Sequence, residues 1–216
     1  MIGLKFRIIG YLQKKSGGGI VAMANTVTAK QALKKLLDGN KRNVAGKKQN
    51  PRQDARRRKE VSKGQKPFAV VVGCSDSRIP PELIFDQGLG DLFVVRLAGN
   101  IVDSLALGSI EYAVEHLDTR LVVVLGHGKC GAVTAAAQGG HAPGHVGAIL
   151  RALQPALKKA RKLEGDFVEN AIRVNVSLVK NKIKASRPIL AEMAEKGEID
   201  VIGAYYDIDT GVVEIL

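Results

Sequence analysis

The chain predicts an α/β fold, with a mostly parallel central β-sheet of four parallel strands plus a C-terminal antiparallel strand. Helices flank the sheet and an N-terminal helical arm precedes it. Three observations carry that expectation. Residues 69–73 and 121–125 are valine- and leucine-rich runs with no polar alternation, the pattern of strands buried on both faces. Leu107, Ile110, Ala113, Val114 and Leu117 recur at helical spacing between them. Strand-like and helix-like segments then alternate along the rest of the chain, as a parallel sheet with crossover helices requires.

Each element has a local reason. Thr28 can cap a helix over residues 28–38, with Ala32, Leu33, Leu36 and Leu37 on one face and Gly39 as its stop. A second helix is expected around 53–62, before Pro67 breaks the chain ahead of the first strand. Strand 92–97, helix 105–117 and strand 121–125 follow, then a helix from Gly131 and a glycine-rich loop over 138–144. Helices are expected over 145–163, bent at Pro155, over 166–185 and over 188–195. A strand over 199–205 and the turn Asp209-Thr210-Gly211 lead into a last strand, 212–216, as a hairpin.

The 216 residues suffice for one domain with a full core. Residues 25–216 read as that domain, with 25–66 as the arm and 1–24 as a disordered or extension segment; Met23 is an alternative start. Aromatics make up only 4% and Trp is absent, so the core must be aliphatic. No apolar stretch approaches the ~18 residues that span a bilayer, which argues against a membrane partner. The net charge of +12 is local, because residues 41–66 hold eleven Lys/Arg against two Asp/Glu. That run has no aromatic for base stacking and includes Pro51, so it reads as a solvated arm rather than a nucleic-acid surface.

The chemistry gathers at strand ends. Cys74 and Cys130, the only two cysteines, each follow a buried-strand pattern, as do Asp76, Arg78 and His127. Two cysteines do not make a disulfide framework in a chain of this length, which favours a reducing, cytoplasmic setting. Two thiolates and an imidazole form a soft ligand set suited to zinc, and three ligands leave a fourth position open for catalysis. Arg78 can fork the Asp76 carboxylate. Asp76 can then orient a zinc-bound hydroxide, or it can occupy the fourth zinc position itself and shut the site. His141 and His145 suit proton transfer or plain surface packing, and His116 suits a helix C-terminus.

The C-x-D-x-R…H-x-x-C constellation, so placed, resembles the β-class carbonic anhydrases from about residue 30 to residue 216. The resemblance implies one Zn2+ per subunit on Cys74, His127 and Cys130, with Asp76 and Arg78 as the catalytic dyad. It implies reversible hydration of carbon dioxide to bicarbonate and a proton by hydroxide on the zinc. It also implies substrate contacts from Gln65, Phe93 and Ala98 and an anion contact from the Gly131 amide. The expected assembly is a homodimer or homotetramer, with the active site at the subunit interface and the N-terminal arm wrapping the partner. Some bacterial relatives carry a tryptophan where this chain has Val71, part of a regulatory bicarbonate pocket with an arginine and a tyrosine. Arg96 and Tyr205 remain here without it, so a constitutively open site is expected. Rival readings are hydrolysis of carbon disulfide or carbonyl sulfide on the same scaffold, or a closed zinc-binding or redox site.

Overall fold

The computed structural model describes residues 27–139 and 142–216; the extension at 1–24 and His141 lie outside the described residues. Five strands form one sheet in the order β2-β1-β3-β4-β5. They are β1 (Ala69–Gly73), β2 (Leu92–Arg96), β3 (Leu121–His127), β4 (Asp200–Tyr206) and β5 (Val213–Ile215). The first four run parallel and β5 returns antiparallel to β4, as expected. Every residue of β1 and β3 is buried, which accounts for their uninterrupted apolar runs. Edge strand β2 is mostly half-buried.

Eight α-helices accompany the sheet among the described residues: α1 (Ala29–Val44), α2 (Ala55–Val61), α3 (Pro81–Ile84), α4 (Ser104–His116), α5 (Gly131–Gln138), α6 (Val146–Ala160), α7 (Phe167–Lys184) and α8 (Ile189–Glu195). Alternate strand residues divide the core in two. Val71, Val123 and Leu125 join Leu36 of α1, Val133 of α5, Leu153 of α6 and Ile172 of α7. Val70, Val72, Val122 and Val124 join Ile110 of α4, Val179 of α7 and Leu190 of α8 on the other face. The four-residue α3 escapes sequence detection because it is too short to show a period. Helix α6 continues through Pro155.

Helix α1 departs from expectation. Thr28 caps it in a reciprocal box with Gln31, but the helix passes through Gly39 to Val44. A Cβ on Gly39 would lie 1.7 Å from the Phe85 carbonyl oxygen, so this glycine serves a close helix–backbone approach, not a stop. Gly46, at φ 65°, takes the left-handed position beyond the helix end. Buried Asn40 fastens α1 to its own chain, donating to Gly211 O (2.8 Å) and accepting from Val213 N (2.9 Å).

The basic segment is partly consumed within the fold. Arg42 meets buried Asp86 at 2.6 Å, and Arg52 meets buried Asp91 at 2.7 Å with Arg57 at 3.7 Å. Helix α2 itself buries nothing. Removing one partner of such a pair strands a desolvated charge, so these arginines constrain the loops around α2 whatever their net stabilisation.

Gly39→Ala is expected to destabilise the protein by about 1–3 kcal/mol or more, because backbone rather than a flexible side chain blocks the added methyl. Urea unfolding of the variant against the parent measures this; an unchanged midpoint contradicts the close approach.

Candidate active site

The site stands at the carboxyl ends of β1 and β3, where strand order reverses and open α/β sheets bind ligands. Gly73 pairs level with Leu125, so Cys74 leaves β1 beside the end of β3. His127 is the last residue of β3, two residues beyond the expected strand end, and is fully buried. Cys130 follows one tight turn later, immediately before α5. Cys74 Sγ, a ring nitrogen of His127 and Cys130 Sγ all lie within 4.8 Å of one another. Asp76 Oδ2 is 4.0 Å from His127 Nε2, while both oxygens of that carboxylate are engaged by Arg78.

The comparisons agree with this geometry. Residues 69–213 match the family model described as carbonic anhydrase. Carbonic anhydrase 2 of Mycobacterium tuberculosis is 41% identical over 196 residues, covering 87% of this chain and 91% of the relative. The chain belongs to the β-class carbonic anhydrases. The carbonic anhydrase of Mycolicibacterium smegmatis is likewise 41% identical, over 89% of this chain and 94% of its own. A tetrameric β-carbonic anhydrase of Sordaria macrospora superposes with TM-score 0.68 at 29% identity, over 73% of this chain and 84% of that one. The β-carbonic anhydrase of Coccomyxa, solved with acetazolamide, gives TM-score 0.67 at 31% identity, over 73% and 75%.

The donor set of this carbonic anhydrase fits zinc. Tetrahedral ligands at about 2.0–2.3 Å from an ion stand about 3.5–4 Å apart, a separation that falls within the 4.8 Å spread of these three atoms. His127 Nδ1 lies 2.9 Å from the Gly128 carbonyl oxygen, a contact that requires Nδ1 to carry the proton. Nε2 is thereby left as a bare lone pair, buried and without a hydrogen-bond partner. An orphaned acceptor facing two thiols is what a metal ligand looks like when its second nitrogen is fixed by a carbonyl. A hydrogen bond from Cys130 lowers the Cys74 thiol pKa, and the same contact raises that of Cys130. Cys74 Sγ also accepts the Gly99 N–H at 3.1 Å.

The supporting residues include several that sequence reading missed. Gly99 adopts φ 70° and is pinned on its carbonyl by buried Asn175 of α7 at 2.8 Å. Asn175 interrupts the apolar stripe of Ile172, Val176 and Val179, which is the signal that marks it. Arg96 donates to the Cys74 carbonyl (2.7 Å) and the Asp76 carbonyl (2.5 Å), fixing the C-x-D turn from the neighbouring strand. Tyr205 donates to Glu169 (2.5 Å) and Val71 is buried in the core. Arg96 thus serves a ligand turn directly, and Tyr205 meets the other through Glu169.

The other expected residues divide. Ala98 adjoins Gly99, and Gly131 directly follows Cys130 at the start of α5, so both border the cluster. Phe93 packs on the opposite sheet face, its ring 6.4 Å from that of Tyr112. Gln65 is exposed in the loop before β1. Within one chain, neither is brought to the cysteines.

Two outcomes follow from the protonation states. The contact between the thiols lowers the pKa of Cys74 and raises that of Cys130, so the pair is expected to hold one proton. Zinc uptake near neutral pH is then expected to release on the order of one proton per ion. Calorimetry in buffers of different ionisation enthalpy reads this, and zero release contradicts a thiol–thiolate pair. The Arg78 fork depresses the Asp76 carboxyl from 3.8 to about 2, so its stabilisation is complete above 3.8 and lost as pH falls through about 2. The stability gap between parent and Asp76→Asn is therefore expected to be present at about pH 5 and to close on acidification.

Proposed function

We propose that the chain hydrates carbon dioxide reversibly to bicarbonate and a proton at the Cys74, His127 and Cys130 cluster, with Asp76 and Arg78 as the working dyad. The buried, orphaned Nε2 of His127, 4.0 Å from a carboxylate forked to Arg78, carries this reading. One zinc ion held by these three residues would act as a Lewis acid that brings a water's pKa down toward ~7.

The residues of the chain do the rest. Asp76 Oδ1 already accepts two donors from Arg78, its backbone N–H at 3.0 Å and its Nε at 2.9 Å. Oδ2 accepts only Nη2, at 2.7 Å, and faces His127, so it has room for one more hydrogen bond. There it takes the remaining proton of the attacking water as a hydrogen bond and turns the water's lone pair toward the carbon of carbon dioxide. Arg78 keeps the carboxylate ionised and draws it away from the position that the three ligands leave open. The C–O bond forms, bicarbonate exchanges with water, and the released proton leaves through solvent or buffer.

Ala98 and the Gly131 N–H are assigned to substrate packing and bicarbonate contact, since both border the ligands. Gln65 and Phe93 are assigned to the site through a second copy of the chain, as homodimer or homotetramer. The outer face of α4 supports an assembly: Leu105 is 82% and Tyr112 47% exposed, in the layer that packs beside edge strand β2. The tetrameric description of the Sordaria relative points the same way. Residues 25–216 are assigned to one catalytic domain, with 25–66 as its arm and 1–24 as an extension. A cytoplasmic setting is proposed with both cysteines given to the metal rather than to a disulfide. Among the described residues no helix is long and apolar enough to cross a membrane. The pairing of Arg42, Arg52 and Arg57 with acids of the chain supports a structural rather than nucleic-acid role for the basic segment.

Stopped-flow hydration with metal analysis tests the reading. Arg78→Ala is expected to retain zinc and lose kcat/KM on the order of a hundredfold. A parent protein with stoichiometric zinc but no hydration above pH ~8 would overturn the proposal.

A further inference from the structure

Glu169 lies in the first turn of α7, remote in sequence from the ligands and the dyad, yet one carboxylate oxygen reaches the H-x-x-C turn and the other reaches Tyr205 of β4. Oε1 accepts the Lys129 backbone N–H at 3.3 Å, and Oε2 accepts the Tyr205 hydroxyl at 2.5 Å. Tyr205 stands opposite Gly126 in the β3–β4 register, and its hydroxyl lies 2.6 Å from where a Cβ on Gly128 would sit. Lys129 holds φ 55°, a left-handed conformation that a residue with a side chain keeps only when its surroundings enforce it. Its carbonyl oxygen accepts Arg78 Nη2 at 3.0 Å, and the same Nη2 donates to Asp76 Oδ2 at 2.7 Å.

The other duties open to Glu169 are already filled. Capping of α7 falls to Asp166, whose side chain accepts the Glu169 N–H at 2.8 Å. The Lys129 ammonium pairs with Asp209 at 2.6 Å, and Arg173 pairs with Glu214 at 2.8 Å. What remains for Glu169 is a bridge between two neutral donors on either side of the ligand turn.

We propose that Glu169 is a positioning residue. It holds the left-handed turn at Lys129 so that the Lys129 carbonyl keeps Arg78 forked to Asp76 and the carboxylate clear of the position left open by the metal ligands. The proposal rests on the hydration reading above. Both hydrogen-bond partners are neutral donors, and Arg173, which also feels the Glu169 charge, is already paired with Glu214, so hydrogen-bond geometry is the agent proposed. A glutamine can keep both contacts, its amide oxygen accepting from Lys129 and its amide nitrogen donating to the Tyr205 hydroxyl.

The test compares zinc-loaded parent, Glu169→Ala, Glu169→Asp and Glu169→Gln by zinc content, hydration kinetics and thiocyanate affinity. Thiocyanate serves as an anion that needs the open position. Glu169→Ala is expected to keep one zinc per chain and lose about tenfold to a hundredfold in kcat/KM, with the loss in kcat. Its thiocyanate affinity is expected to fall as well, and Glu169→Gln to recover most of both. Should Glu169→Ala fail to fold, Glu169→Asp, too short to span both donors, is expected to show the same losses. Parent-like kinetics and anion affinity in Ala or Asp would overturn the proposal. Loss of zinc from either would also overturn it, by making Glu169 a support of the ligands alone, and so would a Gln variant as impaired as Ala. A parent without hydration activity sinks the functional reading instead, which keeps the two failures distinct.

Discussion

The parallel register of β1 against β3 is the constraint on which the site depends. With Gly73 level with Leu125, the chain must leave both strands at the same edge of the sheet, and Cys74 and His127 emerge within a few ångströms of each other. No local motif could do this, since the two segments are about fifty residues apart. The pairing is held by burial on both faces, where a slip of one residue would exchange the two halves of the core. The metal ligands therefore inherit their common placement from aliphatic packing, before any contact of their own refines it.

Around those ligands, backbone groups do much of the positioning. Gly99 offers its N–H to Cys74, Gly128 its carbonyl to His127, and Lys129 its carbonyl to Arg78. Side chains from a distance then fix these peptides: Asn175 the Gly99 carbonyl, and Glu169 the Lys129 N–H. Helix α7 supplies both, and so acts as a second scaffold laid across the strand ends. The result is a donor set whose direction is settled before any ion arrives.

Much of this was legible beforehand, for a physical reason in each case. Valine runs reveal strands buried on both faces, and the C-x-D-x-R and H-x-x-C spacings reveal their cargo because the chemistry rests on a few residue types. Gly39 was misread because a glycine needed for close approach and one needed to end a helix look alike in sequence. Glu169 was invisible because its partners, a backbone amide and a tyrosine hydroxyl, come from other elements. The basic segment was correctly located, but its pairing with Asp86 and Asp91 depends on contacts between residues some forty positions apart.

The two margins of the sheet differ in what they offer to another chain. Strand β5 has only three residues, and its central Glu214 is tied to Arg173. A short margin bearing a carboxylate gives an approaching strand few amide and carbonyl groups to copy, the usual defence against edge-to-edge aggregation. Strand β2 at the opposite margin is longer and apolar from Leu92 to Val95, with its one charge, Arg96, turned to the Cys74 and Asp76 carbonyls. The fold thereby guards one side against uncontrolled growth, and the cover its other side needs in solution is a matter of colloidal stability as much as of catalysis.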